Sequence, residues 1–197
     1  FDIFMSPNQP ELELPPYRLA DLLKQTRDRL FPQIALLPTC AYAKTLPLAF
    51  IRSSHSNKDY TPEIVINAVF NHPETPRIVI ESIIIHELLH LVIRPRLIDD
   101  KLRSHPPEFF AREREISPHN QVTWNYIYYN FYSHIKDRDK KGDEEEIRFR
   151  KQQYKRLLNN TQRVSLEQVR EWMTHSDRPK DEADKLDAGL TAIGSGI

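Results

Sequence analysis

Cysteine is almost missing from this chain: Cys40 is its sole representative among 197 residues. An internal disulfide, a four-cysteine zinc ribbon and an iron–sulfur cluster held by this chain alone are therefore excluded. Glycine is scarce too, with four residues, three of them beyond residue 188, which leaves no phosphate-cradling loop. No Ser-centred nucleophile elbow occurs either. A dominant charge sign is also lacking, because 28 basic residues balance 28 acidic ones. Such a chain has no global field for nucleic acid or an anionic membrane, and only a local patch could attract them. No apolar run approaches the roughly 18 residues that cross a bilayer. The opening FDIFMSPNQPELEL carries neither the basic flank nor the apolar stretch of a secretory signal. A reducing, cytoplasmic setting without membrane attachment is expected.

Prolines and apolar periodicity divide the rest. Residues 1–16, with Pro7, Pro10, Pro15 and Pro16, read as an extended lead-in. Leu19, Leu22, Leu23, Leu30 and Phe31 then fall near helical spacing, between a proline pair that suits a helix start and Pro32 that stops it. Short apolar runs follow at Ile34 to Leu37, Leu46 to Ile51 and Ile64 to Phe70; the last, IVINAVF, is rich in β-branched residues and predicts a strand. The stretch from Pro76 to Ile93 is apolar nearly all round and predicts a buried helix, ended by Pro95. Pro106 and Pro107 open another helix toward Ile116. Gln121 to Ile135 is aromatic-rich and fits helix or strand. Beyond Lys136 the chain turns highly charged, which reads as a solvated helical face. Ser165 and Gln168 form a capping-box signature for a last helix carrying Leu166, Val169 and Trp172. Residues 176–197 have little to bury and read as a flexible tail. The division is thus lead-in 1–16, folded domain 17–135, charged helical extension 136–175 and tail 176–197.

One motif carries chemistry. His86-Glu87-Leu88-Leu89-His90 places two imidazoles one turn apart on the same helix face, so both can reach one ion. Glu87 stands on the neighbouring flank, close enough to contact a water on that ion without binding it. Zinc suits neutral imidazole and polarises both a water and a scissile carbonyl. The string alone is only suggestive, but its setting adds weight. Two histidines and a glutamate inside so apolar a helix cost several kcal/mol unless a partner satisfies them, and a metal does so.

Catalytic zinc usually has three protein ligands and water, so one more is needed. His105, Glu108, Glu113, Glu115 and His119 are the downstream candidates. His105 is favoured, because the short connection from Pro95 to Ser104 lets the chain return over the helix. Cys40 offers a deformylase-like alternative, though PTCAY lacks that pattern. A second reading, from another class, is a non-proteolytic interaction module stabilised by zinc. Such a site would be closed by a fourth ligand and would gain nothing from Glu87.

The stretch IVINAVFNHPETPRIVIESIIIHELLHLVI, followed by SHPPEFFARE, resembles the SprT-like (Spartan-type) zinc metallopeptidases over roughly residues 17–135. His86, Glu87 and His90 match that family's first motif, and His105 and Phe109 match its later His-Gly-x-x-Phe element at about the usual distance. Pro106 stands where the family usually has glycine. The resemblance implies an α+β, compact minigluzincin-like core: an N-terminal helix, a small mostly antiparallel sheet and a buried zinc-binding helix. It implies His86, His90 and His105 as zinc ligands, Glu87 as general base, and a protein or peptide substrate. A nucleic-acid partner, known among eukaryotic members, finds no support in the balanced charge or in the absent zinc ribbon. IVINAVF, just before the zinc helix, is expected to be the strand edge on which an extended substrate pairs.

Overall fold

The computed structural model describes residues 17–44, 48–53, 61–132 and 163–175. The lead-in over 1–16, most of the charged extension and the tail over 176–197 lie outside these residues. Among the described residues no helix is long and apolar enough to cross a membrane.

The fold is α+β. Leu19, Leu22, Leu23 and Thr26 recur at helical spacing and form the buried face of α1 (Leu19–Leu30). It ends where the Phe31 N–H turns back to the Arg27 carbonyl, ahead of Pro32. Three strands make the main sheet: β1 (Thr39–Ala43), β2 (Ala49–Ser53) and β3 (Pro62–Asn67). β3 stops because Asn67 Oδ1 accepts from the Val69 N–H at 3.0 Å, folding Ala68–Phe70 into a single 3-10 turn.

Two expectations fail in this sheet. β3 is its central strand, with β1 parallel on one side and β2 antiparallel on the other. IVINAVF therefore offers no edge, and substrate pairing along it is ruled out. Ile64, Val65 and Ile66 are all buried, as a strand covered on both faces requires. The main sheet is also mixed rather than mostly antiparallel. Antiparallel pairing prevails only when the separate β4–β5 ribbon (Arg96–Ile98 and Lys101–Arg103) is counted. Ile34 to Leu37 forms no strand; Pro32 and Pro38 bracket it, and the chain turns there with the Ile34 N–H on the Phe31 carbonyl.

α2 (Arg77–Val92) runs through the centre, as its all-round apolar sequence demands. Val79, Ile80, Ile83, Ile84, Leu88 and Leu89 are almost wholly buried. α3 (Pro107–Ile116) begins on its proline pair, and α4 (Asn120–Ile127) continues into one π-helical stretch over Tyr128–Tyr132. Ser82 Oγ, on α2, receives the Thr123 hydroxyl from α4 at 3.1 Å and lies 3.4 Å from Ser117 Oγ after α3.

The last helix, α5 (Leu166–His175), starts with a reciprocal capping box between Ser165 and Gln168. Val169 is fully buried, and the Trp172 ring meets Tyr129 edge-on at 4.9 Å. The segment before it is latched by Asn130, whose amide donates to the Val164 carbonyl at 3.2 Å and accepts from its N–H at 2.8 Å. Arg163 adds a bond to the Val69 carbonyl at 2.9 Å and lies 4.7 Å from the centre of the Phe131 ring. Asn130→Ala should cost about 2 kcal/mol, since two backbone groups of Val164 lose their buried partner. Urea unfolding is the measurement. Lys24→Ala, which breaks only an exposed pair with Asp28, should stay within about 0.5 kcal/mol.

Candidate metal centre

Helix α2 presents His86 and His90 on one face, and the β4–β5 ribbon returns the chain so that His105 arrives just before α3. His86 Nε2 lies 3.0 Å from His105 Nε2, which lies 3.1 Å from His90 Nε2. Ligand atoms bound at ~2.0–2.1 Å around one tetrahedral ion stand about 3.4 Å apart; two of the separations here come close to that, and all three atoms lie within 4.8 Å of one another. His86 and His105 are buried, and His90 is half-buried. These three residues can hold a metal ion. Among the described residues no fourth His, Cys, Asp or Glu atom joins them.

Phe109 gives the cluster its floor. Its fully buried ring is centred 5.0, 4.7 and 4.8 Å from the rings of His86, His90 and His105. His105 stands just before α3 and Phe109 in its first turn, so the start of that helix brings the two rings together.

Glu113 has the orienting role. Its Oε1 accepts from His86 Nδ1 at 2.8 Å, and both side chains are buried. An ionised carboxylate only accepts, so Nδ1 must carry a proton, which leaves Nε2 as the nitrogen that can bind an ion. Asn120 Nδ2 approaches the other oxygen, Oε2, at 3.5 Å. Two of the remaining downstream candidates are committed elsewhere: Glu108 pairs with Arg96 at 2.7 Å and Glu115 with Arg112 at 2.7 Å. His119 does not join the cluster.

Burial pulls His90 far below the usual imidazole range, helped by the neighbouring His86 and His105. His105 is pushed down to about 4 by burial and then by His86. Burial opposes the charged form of His86 too, but the Glu113 carboxylate outweighs it and holds this residue above its ordinary value. His90 and His105 are thus neutral at pH 7, the form that binds metals.

Glu87 is buried on the flank of the helix toward β2 and takes a backbone hydrogen bond from Ile51. Burial pushes its carboxyl up to about 7, against the attraction of His86. Its second oxygen, Oε2, is buried and meets no donor among the described residues. A buried acceptor without a donor is costly, and a water carried by an ion at the cluster would satisfy it. The three histidines fit a metal ion, and Glu87 keeps one buried oxygen without a donor among the described residues.

Cys40 does not belong to the cluster. Its sulfur is not among the atoms that converge on the three histidines, and burial, then Glu87 and Glu63, push the half-buried thiol up to about 12. His72 Nδ1 accepts from the Glu74 N–H at 3.2 Å in a local turn. His55 and His134 lie outside the described residues. Two residues of the site were not legible beforehand. The sequence offers Glu113 only as a possible ligand, although its offset of four from Phe109 puts the two on one face of the helix. Trp124, whose ring stands edge-on 5.4 Å from His86, carried no signal beyond its aromatic neighbours.

His105→Ala should remove most of the bound metal, because two imidazoles and solvent make a poor site. Glu113→Ala should weaken metal affinity by about 10–100-fold while the fold persists. Glu108→Ala should leave the affinity unchanged. Chelator competition monitored by metal release tests all three; unchanged affinity in Glu113→Ala would remove its orienting role.

Among protein-family models, curated proteins and solved structures, none matches this chain.

Proposed function

We propose that this protein is a zinc-dependent endopeptidase that hydrolyses peptide bonds in unstructured protein segments. The observation that supports this reading is one juxtaposition: the ligand atoms of three histidines lie within 4.8 Å of one another, and Glu87, whose Oε2 has no donor among the described residues, neighbours His86 on the same helix. His86, His90 and His105 would hold the ion. Zinc bound there would supply a Lewis acid that polarises the scissile carbonyl and makes a water easier to deprotonate.

The chain's own residues do the rest. Glu87 accepts a proton from the attacking water on Oε2, the oxygen that no other group claims. It returns that proton to the departing amine, so the carboxylate ends as it began. The Ile51 N–H orients the carboxylate meanwhile. Glu113 holds a proton on His86 Nδ1 and leaves Nε2 to bind the ion. Phe109 limits the water that reaches the rings from below.

An extended substrate needs partners for its backbone, and β2 is the sheet edge beside the site. The Asn67 N–H bonds the Leu48 carbonyl at 2.8 Å, so by antiparallel alternation the Ile51 N–H points away from β3, toward Glu87. The outward groups of Ala49 and the Ile51 carbonyl face the same way. Pairing through them would make the enzyme tolerant of side chains but demanding of unfolded backbone.

Glu87→Gln should keep the fold and the metal and lower turnover of a dye-quenched unfolded polypeptide by about 10²–10⁴-fold. The near-isosteric amide cannot take the water's proton. Hydrolysis at the wild-type rate would exclude Glu87 as the base. Chelation should abolish activity and added zinc restore it.

A further inference from the structure

Two buried polar atoms beside the histidine cluster have no part in the chemistry above. The Trp124 Nε1–H donor and the Asn120 Oδ1 acceptor are shut off from solvent, and neither meets a partner among the described residues. Leaving such groups unpaired is costly, and native interiors rarely do so. The two are complementary, one a donor and the other an acceptor.

Their placement is as telling as their chemistry. Asn120 and Trp124 stand four residues apart on α4, so one helix turn puts both side chains on the same face. That face lies against the first histidine and its carboxylate. Trp124 sets its ring edge-on to His86 with centroids 5.4 Å apart, and Asn120 Nδ2 reaches Glu113 Oε2 at 3.5 Å. The amide can point only one way, because its oxygen turned toward Glu113 would meet a carboxylate that also only accepts. Oδ1 is therefore directed away from Glu113. Of the buried acceptors without a partner among the described residues, it alone shares α4 with the indole. Thr123, between the two, gives its hydroxyl to Ser82 one turn ahead of His86, which fixes this stretch of α4 against α2. A phenylalanine at 124 would also pack an aromatic edge on His86, without bringing a donor to bury.

We propose that Trp124 and Asn120 are positioning residues of the metal centre. Trp124 Nε1–H donates to Asn120 Oδ1, directly or across one water, and Asn120 Nδ2 donates in turn to Glu113 Oε2. The carboxylate then accepts at both oxygens, from His86 at Oε1 and from Asn120 at Oε2. Held at one oxygen, a carboxylate can rotate about its last bond and leave the imidazole. Held at both, it cannot turn without breaking a bond. The circuit closes on itself, since the indole that starts it also abuts the His86 ring. What it fixes is the aim of His86 Nε2, the nitrogen that binds an ion. This inference rests on the metal-binding part of the reading above and not on peptide hydrolysis.

The test measures zinc affinity by chelator competition in the full chain as wild type, Trp124→Phe, Asn120→Leu and the double variant. Trp124→Phe keeps an aromatic ring beside His86 and removes the N–H. Asn120→Leu keeps the volume and removes both polar groups; Asn120→Ala replaces it if leucine does not fold. Asn120→Leu should weaken zinc binding by about tenfold or more, and Trp124→Phe by about threefold to tenfold. The double variant should bind no more weakly than Asn120→Leu alone, because a circuit already broken has nothing further to lose at its far end. Losses that multiply in the double variant would overturn the proposal, since ring and amide would then act independently. So would unchanged affinity in Trp124→Phe. The indole N–H proton of Trp124, identified by its loss in Trp124→Phe, gives a second readout by NMR. It should move upfield in Asn120→Leu as its acceptor is removed; an unmoved resonance would overturn the proposal. The expected affinities in a protein that cleaves no polypeptide would support the positioning role while sinking the hydrolytic reading. A wild type that binds no zinc would overturn both.

Discussion

A buried imidazole must satisfy two nitrogens that point in opposite directions, and His86 imposes that demand on everything packed around it. One nitrogen goes to Glu113 and the other to the cluster, so α3 must lie where a carboxylate can reach behind the ring. The same helix then supplies the floor as well: Phe109 and Glu113, four residues apart, share one face of α3, and His105 arrives from the extended residues just before it. Helix α2 answers with its own stripe of four-residue steps: Ser82, His86 and His90. Ser82 ties the stripe to α4 and to the end of α3 through hydroxyls one turn ahead of the first ligand. Two facing stripes suffice to specify the centre.

Such a centre is expensive to bury, and the location of α2 resolves the cost. Val79, Ile80, Ile83, Ile84, Leu88 and Leu89 surround the polar stripe, each contributing about 1.5–3 kcal/mol when covered. The helix is therefore anchored by its other faces, and its histidines can be held with little freedom. Neutral His90 and His105 then present lone pairs, while the His86–Glu113 pair keeps its proton on Nδ1 whether or not an ion is bound. Little has to rearrange for the ion to enter.

Legibility followed the same physics. α2 could be read because apolar residues run all round it, and the two motifs could be read because helical spacing converts sequence distance into a shared face. The central position of IVINAVF does carry a sign in the sequence. Three successive apolar residues, Ile64 to Ile66, are the mark of a strand covered on both faces, whereas an edge strand more often alternates. Its neighbour β1 was hidden for the opposite reason. TCAYA is partly exposed along its length and lacks both alternation and a strong apolar run, so only tertiary pairing with β3 makes it a strand. The β4–β5 ribbon escaped notice because RPRLIDDKLR reads as a charged connection. Its one local signal, a pair of aspartates between apolar residues, is a weak form of the Asn-Gly hairpin signature.

Ligands and ribbon also differ in how they are fixed. His86 and His90 rise from a helix whose neighbours are almost wholly buried, and His105 sits against Phe109, which is fully so. The ribbon between them has far less holding it: its own short ladder, the partly covered Ile98 face, and the exposed Arg96–Glu108 pair. Surface substitutions on such an element change local chemistry by little more than their own contacts, and distant sites respond almost additively. The histidine cluster and the surface of the ribbon can therefore vary independently, although the chain passes from one histidine to the next through the ribbon itself. A charge reversal at Lys101 acts on the ribbon's surroundings, whereas a change at Glu113 acts on the coordination geometry, because only the second is buried against a ligand.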